Sequence, residues 1–387
     1  MLLISTSALC APPQLAELTA SDRTSNDQFG EAVAMSGSTV VVGAPGATIG
    51  SNPVEGAAYV FVKPANGWGN MTQVAKLTPS DGSHYQNFGY SVAVSGNTIV
   101  VGSIGCDPAC GAYVFVKPLS GWKDMTETAK LNVGYALAVA VSGNTVVVGS
   151  PAGLGAAVFL KPKQGWVSTS QPSAVLTASD GVTGDEFGVS IAFSSDTVVV
   201  GADASGTTGL GAAYVFVKPT SGWTNMTQTA KLTPSNGVDA DYFGISVAIN
   251  VSTIVVGAPN PFWSGTPAAY IYVQPFGGWA NTTETARLEW AYDGNQSASF
   301  ADSVALSGSR IVVGDPYGPP AHNGQGEALV FTKPKTGWQT TFRFNAVLSA
   351  SDDTNVSDTF GIVAMSGARI VIGASKLPLE PGAAYVF

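Results

Sequence analysis

Residues 88–103 read FGYSVAVSGNTIVVGS, and this stretch decides the fold because it recurs along the whole chain. Close copies begin at Phe29, Phe187, Phe243, Phe300 and Phe360, a degraded one begins at Tyr135, and successive copies lie 47 to 60 residues apart. Repeats of that period override the two or three domains that 387 residues would otherwise suggest. Within the unit, Phe88, Tyr90, Val92 and Val94 alternate with Gly89, Ser91, Ala93 and Ser95, the period-two signal of a strand with one small face. Thr98 to Val101 is apolar on both faces and β-branched, so neighbours should cover both of its sides. Ala112 to Val116 makes a third strand. A KPxxGW turn then leads to a fourth, Ala129 to Leu131. The turn recurs as Lys63 to Trp68, Lys117 to Trp122, Lys161 to Trp166, Lys218 to Trp223 and Lys333 to Trp338, and Gln274 opens the copy that ends at Trp279. Helical periodicity is absent.

Sheets of four short strands cannot bury two apolar faces alone, and radial stacking solves this while leaving only short edges. The expectation is an all-β, seven-bladed β-propeller of four-stranded antiparallel blades, starting near residues 29, 88, 135, 187, 243, 300 and 360. Residues 14–387 form one domain in this reading. The segment 14–22 holds a lone fourth-strand copy (LAELTAS), and the chain stops after a third-strand copy, GAAYVF, so the N-terminal strand should pair with the C-terminal blade and close the ring. Residues 1–13, MLLISTSALCAPP, read as an export signal or a disordered leader.

Phe-Gly followed about thirteen residues later by Val-Gly-Ala-Pro, as at Gly43-Ala44-Pro45 and Gly257-Ala258-Pro259, resembles the FG-GAP repeat of integrin α-chain propellers. The resemblance covers nearly the whole chain. It implies a secreted or cell-surface recognition or adhesion module, since relatives with this repeat include integrin ectodomains and some sugar-binding lectins. Many of those relatives carry a calcium loop of the DxDxDG kind between strands one and two. Here that turn is Ser95-Gly96-Asn97 or similar and Asp196 is the only acid in these turns, so the integrin-type calcium sites are not carried over; no cofactor is expected, with calcium at other loops kept as the alternative.

Composition narrows function further. A net charge of −9 disfavours nucleic acid as a partner, and no long uninterrupted apolar run offers a membrane span. Two His and three Cys are too few for haem, iron–sulfur or multinuclear zinc sites. The GxSxA of Gly89 to Ala93 imitates a serine-nucleophile elbow but lacks the strand-to-helix turn and the histidine partner. No acid pair recommends a hydrolase, because Asp185-Glu186 and Asp352-Asp353 lie on loops without apolar burial. The chain reads as a monomer and not an enzyme.

In such a blade the one-to-two and three-to-four turns share one rim, and the two-to-three loops and four-to-one crossovers share the other. The first rim is uniform and the second irregular, so binding is expected on the second. Twelve of the 26 acids fall in crossovers: Asp22, Asp27, Asp81, Asp180, Asp185, Glu186, Asp239, Asp241, Asp293, Asp352, Asp353 and Asp358. Most basic residues lie on strands three and four or in their turn, which predicts an electrostatically two-faced disc. Such an acidic rim would take a protein or glycan ligand, unless its acids only cap turns through backbone N–H groups.

Aromatic residues mark a candidate ligand-binding patch on that rim: Phe262, Trp263, Trp290, Tyr292, Asp293, Tyr317 and His322. Exposed there, they would stack on a sugar or anchor a peptide, which keeps a carbohydrate-binding lectin as the alternative. The bland reading has them plugging gaps in irregular loops. The six repeated Trp residues read as packing. Cys106 and Cys110 are close enough for a local disulfide, and Asn70, Asn225, Asn250, Asn281, Asn295 and Asn355 open N-x-[ST] sequons.

Overall fold

A computed structural model describes residues 11–105, 110–151, 155–203, 210–238, 241–259, 266–290, 299–318, 325–351, 358–376 and 381–387. Every regular element among them is a β-strand, and the strands form seven sheets. In the second blade, Ser91–Ser95, Thr98–Gly102, Ala112–Val116 and Ala129–Leu131 pair in that order, each antiparallel to the last. The other first strands are Ala32–Ser36, Ala138–Ser142, Ser190–Ser194, Ser246–Asn250, Ser303–Ser307 and Asp358–Ser366, and all seven pack one against the next around a closed ring.

The first strand begins three residues later than alternation predicts. Gly89 has φ +99°, a left-handed conformation outside the strand range, so the Phe-Gly pair is a corner. That corner turns Phe88 inward, with its ring 5.2 Å from Tyr113 and 6.0 Å from Phe115, edge-on. The glycine ending strand two has a different cause. A Cβ at Gly43, Gly149 or Gly201 would lie 2.0 Å from the carbonyl oxygen of Gly89, Gly188 or Gly244 in the next blade. The two glycines of the repeat therefore set how closely blades approach.

Closure uses the chain's first strand. Ala16–Thr19 pairs antiparallel with Ala383–Val386, matching Ala16 to Val386 and Leu18 to Ala384. Leu15 N donates to Val386 O at 2.7 Å, and Leu18 is fully buried. Burying such a leucine contributes about 1.5–3 kcal/mol.

Among the described residues, six of the seven seams between blades show the same seal. The segment after each KPxxGW turn lies parallel to the fourth strand of the preceding blade, through Leu18–Met71, Leu77–Met125, Leu131–Thr169, Leu176–Met226, Leu232–Thr282 and Leu288–Thr341. A short polar side chain one residue earlier accepts a backbone N–H from that strand: Glu17 N to Asn70 Oδ1 at 2.9 Å, Lys76 N to Asp124 Oδ1 at 2.7 Å, and Lys231 N to Asn281 Oδ1 at 2.8 Å. Val175 N likewise donates to Asn225 Oδ1, so three sequon asparagines are structural acceptors. The repeated tryptophans fill the same seams: Trp122 packs with Ala75 and Leu77, Trp166 with Ala129 and Leu131, and Trp223 with Ala174 and Leu176. Their indoles cover strand edges that would otherwise stay wet.

Candidate binding surface

Most described crossover acids are consumed by structure. Asp27, Asp185 and Asp241 each accept a backbone N–H three residues upstream, from Thr24, Val182 and Val238, at 2.7 Å. Asp22, Asp81 and Asp180 do something the sequence reading did not foresee, since each pairs with the fourth-strand lysine of the next blade: Lys76, Lys130 and Lys231. Those lysines also lie over the rings of Tyr59, Tyr113 and Tyr214, 5.5, 4.7 and 5.4 Å from the centroids. The Tyr113 hydroxyl donates to Asp81 Oδ1 at 2.9 Å. Burial opposes ionisation of Asp22 and Asp180, yet the lysine bonds and charges hold both carboxyls below the usual range. The expected two-faced disc is corrected here: strand-four lysines reach the acidic rim and neutralise part of it. Asp358 lies in strand one of the last blade, and Asp239, Asp293, Asp352 and Asp353 lie outside the described residues.

A second set of acids lies at the end of the central channel. The position after each Phe-Gly corner leads into strand one, so seven such residues circle that mouth: Glu31, Tyr90, Leu137, Val189, Ile245, Asp302 and Ile362. Five are apolar or aromatic, and two are acids, in blades one and six. They flank the seventh blade, and the charge of Glu31 is felt at Asp302, Tyr90 and Tyr317. Burial, then the charges of Asp315 and Glu31, push the Asp302 carboxyl up to about 6. Burial also raises Glu31. Behind Asp302, Asp315 and Glu327 face each other across paired strands, both nearly inaccessible, and burial with the Asp315 charge raises Glu327 to about 7. Ser299 Oγ donates to Asp315 Oδ1 and accepts the Tyr317 N–H at 3.1 Å.

On the same face, Ile104, Tyr135, Leu137, Pro151 and Glu186 enclose a cleft of about 210 Å³ between the second, third and fourth blades. Its walls are apolar except for one carboxylate. Tyr135 is 46% exposed, and Glu186, at φ +53°, stands in solvent. Burial and the Glu186 charge raise the Asp203 carboxyl to about 6. The surface thus combines an acidic arc with an apolar cleft, chemistry suited to a cationic, partly apolar ligand. No group of three or more His, Cys, Asp or Glu able to hold a metal ion occurs among the described residues.

Of the aromatic patch, the described residues include two members, Trp290 and Tyr317, and Trp290 is not exposed as expected. Trp290 is only 5% exposed and packs against Phe300, with ring centroids 5.8 Å apart, in the core between the fifth and sixth blades. It follows strand Ala286–Glu289 directly, and the seam there has room for a large ring, so the gap-plugging reading applies to it. Tyr317 is exposed, at 62%, on the expected rim beside Asp302. Phe262, Trp263, Tyr292, Asp293 and His322 lie outside the described residues. Cys110 is buried, and Cys106 also lies outside the described residues.

Glu31, Asp302, Asp203, Asp315 and Glu327 were missed by sequence reasoning. A usable signal existed, because aligning the repeats shows Glu and Asp replacing Tyr, Leu, Val or Ile directly after the Phe-Gly corner in two blades.

Among known protein families, the FG-GAP repeat matches residues 13–61, 71–115, 172–216, 226–272 and 282–331, together more than half of the chain. Each match ends within or just before the end of a third strand, so the sequence repeat is offset from the blade by one strand. No curated protein matches the chain.

Proposed function

This chain belongs to the FG-GAP repeat family, and from that premise we propose that it is a noncatalytic, extracellular recognition module of the integrin-like kind that binds a protein ligand on its irregular rim. The observation that carries this reading is the break in repeat symmetry at the channel mouth. Six repeated crossover acids are tied to lysines or turns, whereas Glu31 and Asp302 stand where other blades place apolar or aromatic residues. Keeping raised-pKa carboxylates on a scaffold that neutralises its other acids costs stability, and binding a cationic group would offset that cost. No helix among the described residues is long and apolar enough to cross a membrane. In an oxidising compartment we expect a Cys106–Cys110 disulfide, read as a loss of about two mass units.

The ligand class follows from the surface: a basic segment with an apolar side chain small enough for the cleft beside Glu186. An array of basic and acidic peptides tests this, probed with wild type and with E31Q/D302N. We expect selective binding of basic peptides, at least tenfold weaker in the double variant, which should fold normally. Undiminished binding by that variant would overturn the reading. Selective glycan binding that survives it would favour the lectin alternative.

A further inference from the structure

The rim opposite the channel mouth is built from the tight turns, and one repeated hydrogen bond levels them. The backbone N–H that opens each KPxxGW-type turn donates to the one-to-two turn of its own blade. The pairs are Lys63 N to Ser38 O, Lys117 N to Asn97 O, Lys161 N to Asn144 O, Lys218 N to Asp196 O, Gln274 N to Ser252 O and Lys333 N to Ser309 O, all at 2.8 Å. Both turns of a blade therefore end together, and around the ring they make one face. That face is basic. Its turns hold nine Lys and Arg residues and one acid, Asp196, in a chain whose net charge is −9. Besides the turn-opening lysines these are Lys163 and Lys335 at turn tips, and Arg310 and Arg369, which open strand two where the other five blades place threonine. Among the described residues only Lys218 of the nine forms an ion pair, with Asp196 at 3.3 Å. The mouth acids lie a strand's length away, roughly 17–20 Å. That is beyond the Debye length of about 8 Å at physiological salt, so they do not cancel this charge.

The turn tips add apolar reach. In each of these six turns the glycine N–H closes back on the proline carbonyl, as Gly121 does on Pro118 at 3.0 Å and Gly278 on Pro275 at 3.1 Å. The residue after the proline therefore projects from a fixed hairpin. In blades two and five that residue is Leu119 or Phe276, and both are wholly exposed. Blade five also exposes Val251, next to the Ser252 that holds its turn, and opens that turn with Gln274 in place of lysine. Blades two and five lie on nearly opposite sides of the ring with lysine-bearing turns between them, so a broad, flat partner is needed to meet both tips at once.

We propose that this face docks on an anionic lipid bilayer, with its Lys and Arg residues over the headgroup phosphates and Leu119 and Phe276 inserted at the headgroup–acyl boundary. Basic charge alone would suit any polyanion. The two apolar tips decide for lipid, because a soluble polyanion offers nothing apolar to receive them, whereas an anionic bilayer takes both. Docked this way, the disc turns its channel mouth to solvent, so Glu31 and Asp302 stay accessible to a second partner.

The test is co-sedimentation of the full chain with vesicles of phosphatidylcholine alone and of phosphatidylcholine with about one third phosphatidylserine. Binding to the anionic vesicles is expected, at least tenfold tighter than to the neutral ones and weakened when salt is raised to about 0.5 M. Leu119→Ser combined with Phe276→Ser should weaken it at least tenfold with no change in melting temperature, because both side chains stand clear of the fold. Lys163→Glu combined with Lys335→Glu, at equally exposed tips, should do the same. Equal binding to both kinds of vesicle, or none to the anionic ones, would overturn the proposal. Tight binding to heparin, together with vesicle binding indifferent to the two apolar substitutions, would also overturn it and give the face to a soluble polyanion. The E31Q/D302N variant should bind vesicles as the wild type does, which separates failure here from failure at the channel mouth.

Discussion

Gly373, at the end of strand two in the last blade, lies so close to Gly30 of the first that a Cβ on it would sit 2.0 Å from the Gly30 carbonyl oxygen. The same spacing joins Gly43 to Gly89 and Gly201 to Gly244, so the closing seam is built like the internal ones. Gly373→Ala should therefore destabilise the ring by roughly 1–3 kcal/mol through overpacking against backbone. Gly96→Ala, in a turn with nothing within 4 Å but at φ +57°, should cost less. Thermal unfolding of the two variants checks the ranking.

Lys130 is the most buried of the strand-four lysines, paired with Asp81 and laid over Tyr113. Lys130→Met keeps the apolar stem and removes the charge. We expect a loss of about 1–2 kcal/mol, tempered because Asp81 is partly solvated. Denaturant unfolding measures it, and the same change at Lys63, an exposed turn lysine, should have no measurable effect.

The mouth carboxylates set a pH dependence. Asp203 and Asp302 are raised to about 6 and Glu327 to about 7, from ordinary values of 3.8 and 4.5. A raised carboxyl favours the protonated folded state, so its contribution is full below the unfolded pKa and is lost as pH rises through 6 to 7. Asp22 and Asp180, held low, act oppositely, and their contribution is lost only in strong acid. The melting temperature should thus fall from about pH 4 to about pH 7 and level off above, and Asp302→Asn should flatten that fall. A pH scan of both proteins decides it.

Leu18 lies fully buried in the closing strand. Leu18→Ala should cost about 2–5 kcal/mol, as for a core leucine, where a free N-terminal tail would give no change. Chemical denaturation of the full chain distinguishes the two.

The fold was legible because its determinants repeat: the Phe-Gly corner, the β-branched second strand and the KPxxGW turn each recur at fixed offsets. The start of strand one was misplaced because alternation continues through Gly89, whose positive φ the pattern cannot reveal. The rim was harder to read. Asp81 and Asp27 look alike as loop acids, yet one pairs with a lysine 49 residues away and the other caps its own turn. Only packing of one blade on the next tells them apart. Trp290 failed as a surface candidate because its position after a strand does not show that a seam opens there to receive it.

Ring closure is tested most directly by native-state hydrogen exchange of the first strand. Closure predicts that the amides of Leu15 to Thr19 that donate to the last blade, Leu15 to Val386 O among them, exchange as slowly as those of Ala75 to Leu77. Exchange of that segment at the rate of an unstructured chain, with the other fourth strands protected, would contradict it.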